Sequence, residues 1–203
     1  SKLRAGMTTN GVSQEAQEQI IQSISSFALY GFPESHAASF ALIAYASAYL
    51  KQYYLGAFTC AMLNNQPMGF YSPATIIKDA QRHGLKMRHI DVQQSDWSCT
   101  LEDLESDEQQ NHSDPFALRL GLGYAKGLRK QAGAAIVNAR KSGLFKSILD
   151  FTYRVPELRR AELLALAQIG ALNSLGETKH RRDAIWQAEY AGRPAGALFE
   201  GST

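Results

Sequence analysis

Lys126-Gly127-Leu128-Arg129-Lys130 and, further along, Gly170-Ala171-Leu172-Asn173 are the stretches that decide how this chain is built. Each sets a glycine and a hydrophobic residue between two segments of helical periodicity. Glycine tolerates positive φ, so the chain can reverse sharply there, and a helix that follows opens with amides that have no intrahelical acceptor. Cations crowd both places: Lys126, Arg129 and Lys130 flank the first turn, and Lys179, His180, Arg181 and Arg182 follow the second. Residues 116–182 hold thirteen Lys or Arg against four Asp or Glu, a local net charge of +9, which leaves −7 for the rest of a chain whose total is +2. Such a separation points to a surface for a polyanion, with a solvated charged face as the plainer reading.

Both turns resemble that of a helix-hairpin-helix element, in which the glycine lets the backbone approach a phosphate and the amides of the next helix donate to its oxygens. A grip of this kind holds a strand without reading its bases. The expected DNA-binding set is Lys126, Gly127, Leu128, Arg129, Lys130, Gly170, Leu172, Lys179, Arg181 and Arg182. The alternative is a pair of helix C-caps followed by exposed basic residues. The usual pattern is Gly-hydrophobic-Gly, and here Arg129 stands at the second glycine of the first turn, exchanging close approach for charge.

Outward from the turns, Ala132, Ala135, Ile136 and Ala139 mark one short helix, Ile148 and Phe151 a second, Ala161, Leu164, Ala165 and Gln168 a third, and 184–191, with Trp186, a fourth. Upstream, 85–92 and 116–122 are the strand candidates and could pair, the second alternating Phe116, Leu118, Leu120 and Leu122 with Ala117, Arg119 and Gly121. Between them, 102–115 carries six acidic side chains and no Lys or Arg, the pattern of a surface loop at a boundary between two units. Ser72 before Pro73 predicts a helix over 73–83, with Gly84 as its C′ residue. Further back, Ser13 opens a helix to about residue 29, stopped by Gly31 and Pro33. Ser35 is then expected to cap a helix reaching about residue 54, apolar nearly all round and so expected in a core. No fold is expected to begin in the polar stretch 1–11, which reads as a cut end.

The segment Tyr30-Gly31-Phe32-Pro33-Glu34-Ser35-His36-Ala37-Ala38-Ser39-Phe40-Ala41-Leu42 resembles the fingers motif Gly-Phe-Asn-Lys-Ser-His of bacterial family C DNA polymerases. Further segments follow in that family's order: Tyr49-Leu50-Lys51, Gly121-Leu122-Gly123-Tyr124-Ala125-Lys126-Gly127, Gly143-Leu144-Phe145-Lys146-Ser147, and Arg159-Arg160 through Leu172. Pro33-Glu34 in place of Asn-Lys, and Asn65-Gln66-Pro67-Met68-Gly69-Phe70-Tyr71, are similar to its error-prone branch, paralogous to the polymerase III alpha subunit. The resemblance implies an internal piece of a damage-induced, translesion DNA-directed DNA polymerase, a nucleotidyltransferase. Mainly α structure with a small β element follows: distal fingers over 1–115, a tandem helix-hairpin-helix unit over 116–176, and a C-terminal helix and linker over 177–203. Ser35 and His36 would contact the incoming deoxynucleoside triphosphate. Glu34, where the family has lysine, would remove a cation near the triphosphate. The implied partners are duplex DNA, the palm and thumb of the same polymerase, a sliding clamp and mutagenesis accessory proteins.

Catalytic carboxylates are not expected in this stretch, since no Asp-x-Asp pair lies on a strand candidate; magnesium would be held by the palm of the intact enzyme, and no cofactor is expected here. Cys60 and Cys99 are too few for a disulfide framework or a zinc site, and His83 and His89 do not complete one with Cys99. With two cysteines and no secretory signal, a reducing cytoplasm is the expected location, and no apolar run approaches the ~20 residues of a membrane span. Two rivals remain: a freestanding helix-hairpin-helix DNA-binding module, and a hydrolase built on Ser35 and His36. The second lacks an oriented acid partner and a strand-to-helix elbow.

Overall fold

The computed structural model describes residues 2–29, 34–104, 114–176 and 180–191. The chain divides into two compact units, Ser1–Leu50 and Lys51–Thr203. The described residues are mostly helical, with one small sheet.

In the first unit, helix α1 (Lys2–Thr9) turns at Gly11 (φ 72°) into α2 (Gln14–Leu29). The polar opening is therefore helical, contrary to expectation. Its Thr8 and Thr9 hydroxyls donate back to the Arg4 and Ala5 carbonyls. Ser13 accepts from the Ala16 amide at 3.4 Å, as a residue before a helix should. Helix α3 spans Glu34–Tyr53 and crosses the division between units. It starts two residues earlier than a Ser35 cap would place it, so Ser35 lies inside its first turn. Its apolar residues are not in a core of the described residues: Phe40, Leu42, Ile43 and Tyr45 are 58–72 % exposed. Apolarity on every side predicts that something covers a helix, and the described residues do not supply that cover.

In the second unit, α4 (Leu55–Asn64) and α5 (Pro73–Arg82) pack on a three-stranded sheet. Ser72 caps α5 by accepting from the Thr75 amide, and Pro73 occupies the first helical position. Gly84 closes the helix at φ 89°: its amide donates to Gln81 and the Leu85 amide to Ala80, the two bonds of a Schellman end. Strand β1 (Lys86–Arg88) runs parallel to β3 (Phe116–Arg119), and β2 (Thr100–Asp103) pairs with the other side of β3, antiparallel. The expected pairing of the two strand candidates is present. The acidic run, however, begins as β2, because Glu102 is the partner of Arg119. That arginine is buried, forms an ion pair with Glu102, and also donates to the His89 carbonyl at 3.0 Å and to Gln94 at 2.6 Å. An acidic residue needed to neutralise a buried cation reads in the sequence as part of a solvated loop.

After β3 a 3₁₀ turn (Leu122–Tyr124) leads to α6 (Lys130–Arg140), α7 (Ile148–Arg154), α8 (Arg160–Gln168) and α9 (Arg181–Ala191). Their core includes Leu122, Ile136, Phe151, Leu166 and Leu172, none more than 1 % exposed. Segment 91–97 belts this core together. The Val92 amide donates to Ala171, Gln93 exchanges two bonds with the Phe145 backbone, and Ser95 donates to Leu120. Arg140 donates to the carbonyls of Val92 and Ser95 and pairs with Asp96, whose own carbonyl accepts from the Leu122 amide. The 3₁₀ turn, α6 and the backbone at Phe145 and Ala171 are thus all bonded to seven residues that precede them in sequence.

Candidate nucleic-acid interface

The first turn is built to be open. Gly127 has φ 88°, and a Cβ placed on it would meet nothing within 4 Å. Leu128 is buried beside Ala132 and Ile136, so it anchors the turn rather than touching a ligand with its side chain. Helix α6 starts two residues later, and the Lys130 and Gln131 amides open it without intrahelical acceptors. Lys126 and Lys130 are exposed and form no ion pair among the described residues.

Arg129, expected as a phosphate cation, has its guanidinium engaged within the fold. Its Nε donates to Glu162 Oε1 at 2.8 Å, one terminal nitrogen donates to Oε2 at 2.9 Å and to the Glu157 carbonyl at 2.7 Å, and its amide donates to Oε1 at 3.0 Å. Glu162, in the first turn of α8, also accepts from the Arg159 amide at 2.8 Å. One buried carboxylate therefore satisfies amides at the starts of both α6 and α8, and the Arg129 side-chain bond holds its pKa down at about 2, against 4.5 for a free glutamate. The cation at the second-glycine position pins the two helix starts together. Glu162 went unrecognised in the sequence; the signal for it is its place three residues after Arg159, where a helix-opening glutamate bonds back to the residue before the helix.

The second turn differs from the first. Gly170 has φ 81°, its amide donates to Ala167 and that of Ala171 to Leu166, so it ends α8 as a Schellman cap. Ala171 and Leu172 are completely buried, and the chain continues to Leu175 in turns rather than entering an α-helix. Leu172 thus packs, and the expected helix start after Gly170 is not there. Arg181 reaches the Gln168 carbonyl only at 3.5 Å, and Arg182 is exposed; Lys179 lies outside the described residues, as does the side chain of Ser35. His36 is exposed in the first turn of α3, its ring edge-on to Phe40 at 4.4 Å. Gly127 and Gly170 stand at opposite ends of α8, because Arg129 is bonded to Glu162 near its start. At 1.5 Å per residue the axial distance from Glu162 to Gly170 is about 12 Å.

The basic region sorts into two groups. Arg119, Arg129, Arg140, Arg154 and Arg160 are spent within the fold; Arg154, for example, donates to Gly143 and Leu144 and stacks 4.6 Å from the Phe145 ring centre. Lys126, Lys130, Lys141, Lys146, Arg159 and Arg182 are exposed, with no side-chain ion pair among the described residues. Among those residues no group of three or more His, Cys, Asp or Glu could hold a metal ion, and no helix is long and apolar enough to cross a membrane.

This arrangement matches the family model described as helix-hairpin-helix motif over residues 84–184. The match begins at the sheet and takes in the 91–97 belt. Beyond that class, the chain is 48 % identical to the error-prone DNA polymerase of Methylococcus capsulatus, with 92 % of the chain and 19 % of that protein covered. It is 45 % identical to the one from Anaeromyxobacter sp. (strain K), covering 99 % of the chain and 18 % of the relative. With that of Pseudomonas fluorescens (strain Pf0-1) it shares 44 %, covering 98 % and 18 %. The chain is thus similar over nearly all its length to error-prone DNA polymerases, and spans under a fifth of the length of these relatives.

Proposed function

We propose that this chain is the part of an error-prone DNA polymerase that holds duplex DNA by its backbone. The observation that carries the reading is the open Gly127 turn, with Lys126 and Lys130 exposed on either side and the α6 amides behind it. A phosphate placed there meets two cations and free N–H donors, with no base edge engaged. Arg159 and Arg182, near the two ends of α8, extend the positive surface. The functional division is proposed to follow the sequence boundary near 115/116, although β3 lies within one sheet with β1 and β2. Ser35 and His36, at the start of α3, are proposed to meet the incoming nucleotide. This chain's part is proposed to be binding and orienting, with magnesium held by carboxylates elsewhere in the polymerase. A freestanding DNA-binding module is less favoured, because the likeness to the polymerases runs through α2 and α3 as well as the hairpin region.

The test is a salt titration of duplex binding by the 203-residue chain. Each phosphate contact contributes a slope of about −0.9 in log K against log salt. Lys126→Ala together with Lys130→Ala should flatten the slope by roughly 1.8, at every DNA sequence alike. An unchanged slope would sink the assignment of these two lysines.

A further inference from the structure

A second surface lies on α9. Ala184 and Ala188 turn inward and are completely buried. Arg182, Trp186 and Tyr190, four residues apart, fall on the opposite side of that helix. Trp186 and Tyr190 are each 72 % exposed, and with Leu149 of α7 (60 % exposed) they line a shallow cavity of about 260 Å³. Tyr153, one turn beyond Leu149, is 87 % exposed. Three rings of the indole and phenol type thus stand in water on neighbouring helices, at a cost that a packing role would have removed.

The charges around them are one-sided. Glu189 is taken by Arg160 and Asp150 by Arg154, which leaves Asp183 as the acid on α9 without an ion pair among the described residues. Against it stand Arg181 and Arg182 at one end and Lys146 beside Ser147 in the cavity wall. Helices α8 and α9 run antiparallel, since Arg160 meets Glu189 while Arg181 meets Gln168. The row of rings therefore runs from the Gly170 end of α8 to the Arg159 end, cationic at both. Trp186 and Tyr190 are about 6 Å apart along the helix axis. Rings spaced for successive bases and flanked by cations make up the chemistry that holds single-stranded nucleic acid.

We propose that Trp186 and Tyr190, with Arg182, form a stacking platform for the unpaired bases of single-stranded DNA, separate from the duplex-holding turn. The inference does not need the duplex reading to be right. The probe is a dodecamer of deoxythymidine, titrated against the 203-residue chain and followed by tryptophan fluorescence quenching and by anisotropy of a labelled strand. Trp186→Ala should weaken its binding about tenfold, Trp186→Phe should restore most of it, and duplex affinity should stay as it was. Lys126→Ala with Lys130→Ala should do the reverse, lowering duplex affinity and sparing the dodecamer, so failure of either site shows independently. Equal losses for duplex and single strand in Trp186→Ala, or no quenching by the dodecamer at saturation, would overturn the platform. So would sedimentation showing a dimer that Trp186→Ala dissociates while the dodecamer leaves it intact, because the rings would then belong to a protein interface.

Discussion

Glu162→Ala should lower the free energy of unfolding by about 3 kcal/mol, read as a fall in the urea midpoint at constant m. The carboxylate is almost fully shielded from solvent and receives bonds from the Arg129 amide and guanidinium and from the Arg159 amide. Removing it strands donors at two helix starts and leaves a partly buried guanidinium without its counter-charge. A second measurement isolates the ionic part. Because the folded pKa, about 2, lies below the ordinary 4.5, this stabilisation is complete above about pH 4.5 and is lost as pH falls toward 2. The native protein should therefore lose stability through that window, and Glu162→Ala should lose less. A variant whose stability falls in parallel with the native protein between pH 4.5 and 2 would contradict the role given to the carboxylate.

Gly121→Ala is expected to cost at least as much, about 3 kcal/mol or more, at the upper end for overpacking. Its backbone is ordinary, φ −76° and ψ 153°, so strain in dihedrals is not the reason. A Cβ there would sit 2.4 Å from the Ser98 carbonyl carbon and 2.4 Å from the Trp97 carbonyl oxygen. Neither atom can retreat easily, since the chain on both sides is tied by the Leu122 to Asp96 and Gly123 to Trp97 bonds. Gly127→Ala meets open space and pays only for its left-handed φ, about 1–2 kcal/mol. The glycine that stands out in the sequence should therefore be the milder of the two to replace. A melting temperature for Gly121→Ala within error of the parent would refute the close approach.

Much of the fold was legible because its punctuation is local. Ser72-Pro73 and Gly84 bound α5 through caps that depend on a few neighbouring residues, and the alternating apolar positions of 116–122 located β3. What stayed hidden depends on partners distant in sequence. Glu102 reads as part of an acidic loop until Arg119 is seen to need it, and Arg129 reads as a phosphate cation until Glu162 is seen to claim it. Leu128 and Leu172 lie within the glycine turns and yet face the core. Of the residues proposed to meet DNA, the ones left open and exposed are those needing no partner: Gly127, Lys126 and Lys130. Burial of α3 was the expectation most at odds with the described residues, because an apolar surface announces a cover without saying which segment provides it.

The 91–97 belt also determines how the molecule would bear a load. It is bonded to Leu122 ahead of the first glycine turn and to Ala171 just after the second. A pull applied at the Gly127 turn would pass through Leu122 into this short strap, and from there through Ser95 and Leu120 to the sheet. The two ends of α8 would then yield together or hold together, because the strap bonded beside Leu122 is the one bonded to Ala171.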